Sequence, residues 1–275
     1  KRKAILSPEE EKLALRNALR YFDKKHHSTL LPEFKEELDK YGRIYMYRLR
    51  PDYKMYARPI DEYPAKSKQA AALFDAFAKP YEEKYMDQSK YHDALNEFCA
   101  WIRPMSARVL ELACGPGNVT KYLMEQRPDL RLLATDLAPN MLELAKKNNP
   151  HVSFQLLDLR EVNQLTGPFD AILCAFGFPY LNKEEAITLI GKLARHLAPY
   201  GVCYISTMEG NYTDSDWQGP SSGEDQKIFI HYHELEYLQG ALEENGLQLQ
   251  RMDRIEYKDS QGKTVKDLVL IATRT

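Results

Sequence analysis

Residues 109–118 read Val-Leu-Glu-Leu-Ala-Cys-Gly-Pro-Gly-Asn, and this stretch decides the fold. An apolar strand that contains Glu111 runs into a glycine-rich turn, after which a helix is expected. A second strand, predicted over 130–135, leads to Asp136. Glycines let the backbone approach a ligand because no Cβ stands in the way, and a carboxylate can accept hydrogen bonds from two ribose hydroxyls. The pattern predicts a nucleotide site at the carboxyl edge of a parallel sheet.

Strands and helices alternate along the rest of the chain. The apolar patterns predict strands at 108–112, 130–135, 152–157, 169–175, 200–207, 247–257 and 264–273. Helices are expected at 91–102, 118–126, 139–148, 183–197 and 233–245, the fourth with a capping box from Asn182 and Glu185. This alternation predicts an α/β fold with a mostly parallel sheet and helices on both faces.

Composition limits the class of protein. The 275 residues are 44% hydrophobic, which is enough for a full core, and no apolar run is long enough to span a membrane. No apolar stretch follows the basic start at Lys1, so no signal peptide is expected. The four cysteines are widely spaced, which favours reduced core residues in a cytoplasmic protein over disulfides or a metal site.

Charge is distributed unevenly along the chain. The first seventy residues carry 17 Lys and Arg against 11 Asp and Glu, whereas the remainder carries 21 against 29. Acidic residues are interspersed among the basic ones, so that no basic stripe forms. A nucleic-acid partner is therefore not expected.

The glycine-rich turn departs from the dinucleotide pattern Gly-x-Gly-x-x-Gly, because Thr120 stands three residues beyond Gly117. The segment instead resembles motif I of the class I S-adenosylmethionine-dependent methyltransferases, with Ala113 in place of that motif's first glycine. This substitution is expected to be mild, because alanine adds one methyl group. The resemblance implies a Rossmann-like, seven-stranded, mostly parallel sheet with an antiparallel last strand, and S-adenosylmethionine as the cofactor.

The resemblance also implies the cofactor-binding residues. Glu111 would lie near the methionine amino group, Asp136 would bind the ribose, and Asp158 with Leu159 would meet the adenine. For the two aspartates, a helix cap before Pro139 and a simple turn residue remain alternatives. The expected cofactor-binding set is Tyr81, Tyr85, Glu111, Ala113, Gly115, Gly117, Asn118, Asp136, Leu137, Met141, Asp158, Leu159 and Ala175.

The methyl acceptor is indicated less directly. The loop after the fourth strand contains Phe-Pro-Tyr, ending at Tyr180, without the polar residue that methyltransferases acting on exocyclic amines carry there. Tyr180, His231 and His233 are the catalytic candidates, since imidazole titrates in the range of a general base. Helix-cap or core roles for both histidines remain the favoured alternative. We expect a small, largely apolar or aromatic acceptor, methylated at oxygen or nitrogen. Trp217 and the loop at 214–225 are expected to form a solvent-exposed lid or a substrate-facing loop.

The first seventy residues differ from the rest. They contain a capping box at Ser7, a predicted helix to Phe22, a second from Pro32, and a tyrosine-rich stretch that begins at Gly42. From about residue 6 to 70 the order of these features resembles the N-terminal segment of urocanases, without that family's NAD-binding and catalytic regions. We predict an extension at 1–70, mostly helical and dispensable for cofactor binding, that docks or homo-oligomerises, and a methyltransferase domain at 71–275.

Two rival functions remain open at the level of sequence. An NAD(P)-dependent oxidoreductase would fit the Gly-Pro-Gly turn, although the third glycine is missing. A non-catalytic cofactor-binding scaffold would keep the fold and lose the acceptor site. Binding of NAD, or of cofactor without turnover, would distinguish these rivals from a methyltransferase.

Overall fold

A computed structural model of the chain describes residues 62–219, 227–258, 262 and 264–275. The helices predicted before residue 62 lie outside the described residues. Helices that follow are α1 (Glu62–Ala76), α2 (Ala78–Tyr85), α3 (His92–Trp101), α4 (Asn118–Gln126), α5 (Pro139–Asn148), α6 (Lys183–His196) and α7 (Leu235–Glu244). Strands are β1 (Arg108–Leu112), β2 (Arg131–Asp136), β3 (Ser153–Leu156), β4 (Phe169–Ala175), β5 (Leu197–Met208), β6 (Asp216–Gln218), β7 (Ile228–Ile230), β8 (Leu247–Lys258) and β9 (Thr264–Arg274).

The main sheet has seven strands in the order β3-β2-β1-β4-β5-β9-β8. Strands β1 to β5 are parallel, and β9 lies antiparallel between β5 and β8. The predicted mostly parallel sheet with an antiparallel last strand is thereby confirmed. Strand order reverses between β1 and β4, so the loops after these strands diverge and leave a crevice, where ligands of open α/β sheets bind.

The central strands are apolar on both faces because helices cover both sides of the sheet. Along β1, Val109 packs in one buried cluster, whereas Leu110 and Leu112 pack in the other. This alternation is what a parallel strand between two helical layers requires. Helix α6 begins with the predicted capping box, in which Asn182 and Glu185 exchange hydrogen bonds between side chains and backbone.

Part of the predicted irregular loop at 214–225 is ordered differently from the expectation. Strands β6 and β7 form a two-stranded antiparallel sheet in which Trp217 pairs with Phe229. The two rings meet edge to face, and Trp217 remains 37% exposed, so this exposed residue belongs to a strand and not to an irregular loop. Aromatic and β-branched residues favour this pairing. Residues 220–226 lie outside the described part of the chain.

Helix α7 starts at Leu235, two residues later than predicted, because His233 is extended and bridges to Glu209. Among the helices of the described residues, none is long and apolar enough to cross a bilayer. Within the same ranges, no three His, Cys, Asp or Glu residues cluster to hold a metal ion.

Candidate functional site

The turn between β1 and α4 is built from left-handed backbone. Ala113, Gly115 and Gly117 have φ angles of 55°, 55° and 80°. A Cβ on Gly117 would lie 2.4 Å from Asn149 Nδ2, so both the φ angle and the close approach require glycine there. Ala113 has no such freedom, and the left-handed conformation costs an L-residue about 1–2 kcal/mol. The replacement of glycine at this position therefore carries a backbone cost as well as an extra methyl group.

Asp136 connects the two halves of this edge of the sheet. One carboxylate oxygen accepts from the amide of Gly115 at 2.8 Å, and the other accepts from the amide of Ala138 at 2.9 Å. Each oxygen can accept a second hydrogen bond. The cap residue of α5 is Ala138, and no side chain caps this helix, so the alternative of Asp136 as a cap is not what the structure contains. Burial raises the pKa of Asp136.

Glu111 lies at the end of β1 beneath the turn and is 1% exposed. Its Oε2 accepts the Thr120 hydroxyl at 2.6 Å, which links the strand to helix α4. Burial raises the pKa of Glu111 to about 8. A cation brought to this carboxyl would favour its ionised form.

Two neighbouring cavities open at this edge of the sheet. The first lies over β2 and the turn after β3, and Asp136, Leu137, Met141, Asp158 and Leu159 line it. The second reaches past the glycine turn and includes Tyr85, Glu111 and Asn118. Both share walls formed by Phe74, Tyr81, Ala113, Gly115, Ala175, Phe176 and Tyr180. The second cavity has a volume of about 340 Å³, whereas the first has about 110 Å³, so the second has room for a second reactant.

The predicted cofactor residues thus gather around these cavities, and Gly117 alone among them lines neither. Its place is at the start of α4, where its carbonyl accepts from Asn149 Nδ2 at 3.0 Å. Tyr81 and Tyr85 lie one turn apart on α2 with ring centroids 4.5 Å apart. Asn118 donates to the carbonyl of Tyr85 at 2.8 Å and fastens α2 to the turn.

Asp158 is more fully engaged than the sequence suggests. Arg160 forms two side-chain hydrogen bonds with it, of 2.9 Å and 2.5 Å, and also donates its backbone amide. The same guanidinium reaches the Ser67 hydroxyl at 2.8 Å, and Ser67 donates to the carbonyl of Tyr180 at 3.0 Å. Arg160 therefore ties α1 to the loops after β3 and β4, and it occupies the Asp158 carboxylate that was expected to meet adenine.

Helix α1 crosses the predicted domain boundary and forms one wall of the first cavity. Ser67, Ala70, Ala71 and Phe74 line the first cavity. Helix α1 runs without interruption through 70–71, and the compact unit begins at Tyr63. Ser67 and Ala70 therefore lie on the cavity wall although they precede the predicted boundary, and the dispensability of residues 1–70 for cofactor binding stays a prediction. The signal that could have located the boundary is the Pro64-containing start of a helix, followed by an apolar run at Ala70–Leu73.

The catalytic candidates separate into two groups. Tyr180 lines both cavities, and burial raises its pKa well above the usual value, so its phenol stays protonated at neutral pH. Ile228 and Ile230 face the second cavity, whereas His231 and His233 are absent from both walls. The alternation of side chains along a strand turns these histidines to the opposite face.

His233 has the core role that was the favoured alternative. Its Nε2 donates to the carbonyl of Phe178 at 2.8 Å, and its Nδ1 accepts the hydroxyl of Tyr237. Burial lowers its pKa to about 4, so the ring is neutral. His231 stacks on Tyr212 and meets the ring of Phe229 at a tilt of 56°. Neither ring is placed to act as a general base on a molecule in the cavities.

The residues on the far wall of the second cavity could not be predicted from local sequence motifs. That wall includes Met208 from β5, Gln218 from β6, Tyr257 from β8, and Lys90 with Tyr91 before α3. These residues come from separate parts of the sequence, and no spacing rule connects them. The register of β8 and β9 and the path of the chain around β6 and β7 bring them together.

Comparison with known proteins gives two different likenesses. Residues 109–201 match the methyltransferase domain family. The malonyl-[acyl-carrier protein] O-methyltransferase of Acetivibrio thermocellus is 30% identical over 145 residues, which are 52% of this chain and 50% of that protein. The probable urocanate hydratase of Dictyostelium discoideum is 61% identical over 69 residues, 25% of this chain and 10% of that protein. The chain thus spans about half the length of the first relative and about a tenth of the length of the second.

Solved structures give the fold. The magnesium protoporphyrin IX methyltransferase of Synechocystis PCC 6803 with bound S-adenosylmethionine superposes with a TM-score of 0.57 at 16% identity, covering 80% of this chain and 99% of that one. The N-terminal segment of about 70 residues is the part that matches urocanate hydratases, as the sequence predicted. Behind that segment, residues 109–201 match the methyltransferase domain family, and the described residues have the class I S-adenosylmethionine-dependent methyltransferase fold.

Proposed function

We propose that the chain is an S-adenosylmethionine-dependent methyltransferase that moves a methyl group to oxygen or nitrogen of a small molecule. One observation supports this above the others. The left-handed turn at 113–117 places the Gly115 amide against Asp136 and beside Glu111, on the wall that two cavities share. Carboxylates after β1 and β2 suit a ligand with a sugar diol at one end and a cationic group at the other.

The residues present fit this cofactor. A Cβ built on Gly115 would meet only Tyr81, 3.9 Å away, so this face of the turn is open to a ligand. Asp136 would hold the ribose, Glu111 the amino group, and the loop at Asp158–Leu159 the adenine. Tyr81 and Tyr85 would close over the ligand from α2.

The cofactor supplies an activated methyl group on a sulfonium, so the protein has mainly to bind, orient and exclude water. Alignment of two reactants can contribute roughly 7–11 kcal/mol to lowering a barrier. Aromatic side chains around the second cavity, among them the buried Tyr91 and the partly buried Phe176 with ring centroids 5.3 Å apart, would exclude water from the acceptor. The oxidoreductase and scaffold alternatives receive no support from the comparisons.

The malonyl-[acyl-carrier protein] relative is named for methylation at oxygen of a malonyl group, which favours an oxygen acceptor here. A cytoplasmic location, and a homo-oligomer formed through the N-terminal segment, stay predictions from the sequence.

Isothermal titration calorimetry with S-adenosylhomocysteine tests the cofactor assignment. We expect saturable binding to the full chain, with competition by S-adenosylmethionine and no heat from NAD. Binding of NAD in place of S-adenosylhomocysteine would reject the proposal. A surface variant, Glu143→Gln on α5, is the control, since its carboxylate pairs with Lys146 away from both cavities.

A further inference from the structure

The acceptor end of the second cavity contains a fixed cation. Lys90 lies on its wall, and its Nζ is 3.4 Å from Asp267 Oδ2 and 3.6 Å from the centroid of the Tyr257 ring. Asp267 is fully buried and also accepts the Tyr91 hydroxyl at 2.6 Å. The Lys90 side chain keeps 41% exposure. The ammonium is therefore held in place by groups behind it.

The contact with Asp267 leaves hydrogen-bonding capacity on Lys90. An ammonium has three donors, and Asp267 receives its shortest hydrogen bond from Tyr91. Tyr257 adds a hydroxyl to the same carboxylate at 3.5 Å. Because the negative charge of Asp267 is shared among these donors, Lys90 can offer a charge-assisted hydrogen bond to an anion in the cavity.

Among the described residues, the wall of this cavity has few groups that could take a proton from an acceptor at neutral pH. No histidine is on its wall. Burial raises the pKa of the Tyr91 and Tyr180 phenols far above the usual value, so both stay protonated. Glu111 is hydrogen-bonded to Thr120 and lies at the cofactor end, and Asp87 accepts the amide of Ser89. An alcohol, phenol or ammonium acceptor would depend on Asp87 as its base, and that carboxylate is already bound to the amide of Ser89.

We propose that the acceptor is a carboxylate, methylated on a carboxylate oxygen, and that Lys90 binds its negative charge. This inference rests on the proposed function. A carboxylate is already ionised at neutral pH, so its oxygen attacks the methyl carbon without a base. The new bond joins oxygen to methyl, and the bond from methyl to sulfur breaks with its electron pair left on sulfur. No proton moves, and the products are a methyl ester and S-adenosylhomocysteine.

The chemistry of the product provides a direct test. The full chain is incubated with S-adenosylmethionine labelled in the methyl group, and with trans-aconitate, succinate, malonyl-N-acetylcysteamine, catechol or phenethylamine. Mild alkali releases volatile labelled methanol from methyl esters and leaves methyl ethers and methylamines intact. We expect label from at least one carboxylate and its release by alkali. Alkali-stable product, from catechol or phenethylamine, would overturn the carboxylate assignment and leave the proposed function standing.

A binding measurement tests Lys90 without turnover. In protein saturated with S-adenosylhomocysteine, Lys90→Met should weaken carboxylate binding about tenfold or more, as loss of a charged hydrogen bond implies. Affinity for S-adenosylhomocysteine should stay within about twofold, Lys90→Arg should recover part of the loss, and the control Lys146→Met on the surface of α5 should change neither. Equal carboxylate affinity in wild type and Lys90→Met overturns the proposal, as does absence of both binding and methylation for every carboxylate tested. Failure to bind S-adenosylhomocysteine would instead overturn the proposed function.

Discussion

The two cavities of the site differ in how the chain builds them. The first is formed mostly by loops that directly follow β1, β2, β3 and β4, so its residues occur at the ends of predicted strands. The far wall of the second joins Lys90, Met208, Gln218, Ile230 and Tyr257, which are distant in sequence. A parallel sheet brings the first set together by a general rule. The second set meets only because of how β5 to β9 and the small β6–β7 sheet are arranged.

The largest expected effect is on cofactor binding in the first cavity. Asp136→Ala removes the acceptor for two backbone amides and for the ribose, and it should weaken S-adenosylhomocysteine binding by about 1.5–3 kcal/mol. Calorimetry would register this as roughly a 10- to 150-fold rise in Kd. Asp136→Asn is the matched variant, because its amide keeps one oxygen acceptor and should lose less. Unchanged affinity in Asp136→Ala would refute the ribose assignment.

Shortening the chain within α1 tests whether the first cavity needs residues that lie far in sequence from the loops after the strands. A shortened chain that starts at Glu62 keeps Ser67 and Ala70 on the cavity wall, whereas one that starts at Ala71 loses both. We expect near full-length affinity for S-adenosylhomocysteine from the first and about tenfold or greater weakening in the second. Circular dichroism would confirm that both are folded. Equal binding by the two shortened chains would support the predicted domain boundary at 70–71 and show that the start of α1 is dispensable for cofactor binding.

The sequence anticipated the βα units closely because their signals are local. Strand β1 and helices α4 and α5 have the predicted bounds, since apolar periodicity, the Gly117 turn and Pro139 mark them directly. The sequence favoured a cap or core role for His233 and left a catalytic role open, because a histidine in extended backbone points either to a cavity or to the core according to the register of its pairing. Arg160 was missed for a similar reason, since its contact with Ser67 joins positions 93 residues apart.

Glu111, at the cofactor end of the second cavity, makes the stability of the fold depend on pH. Its carboxyl has a pKa of about 8 in the folded chain against 4.5 as the ordinary value. Between these values the folded state keeps a proton that the unfolded state has lost, so this group lowers stability as pH rises from about 4.5 to about 8. Glu111→Gln removes the effect, and thermal unfolding should show a higher Tm than wild type near pH 8 and little difference near pH 4.

The same variant should bind the cofactor less well. If Glu111 faces the amino group, ligand binding favours its ionised form and releases a proton. Wild-type affinity for S-adenosylhomocysteine should then rise with pH toward about 8, and affinity of Glu111→Gln should be weaker and flatter. Calorimetry in buffers of different ionisation enthalpy measures the proton release. Release of the same number of protons by both proteins would contradict this role for Glu111.

The smallest expected effect concerns Ala113, where the chain departs from the glycine of the motif it resembles. With φ at 55°, alanine occupies left-handed backbone, and Ala113→Gly should stabilise the fold by roughly 1 kcal/mol, after allowance for the greater freedom of glycine in the unfolded chain. The matched control is Ala100→Gly near the end of α3, where glycine should cost roughly 0.5–1 kcal/mol because the backbone there is helical. If urea unfolding shows that the two substitutions change the free energy of unfolding in opposite directions, the difference comes from the backbone conformation at the turn. Destabilisation by both substitutions would mean that the Ala113 methyl group, on the wall between the two cavities, contributes more through packing than its backbone costs.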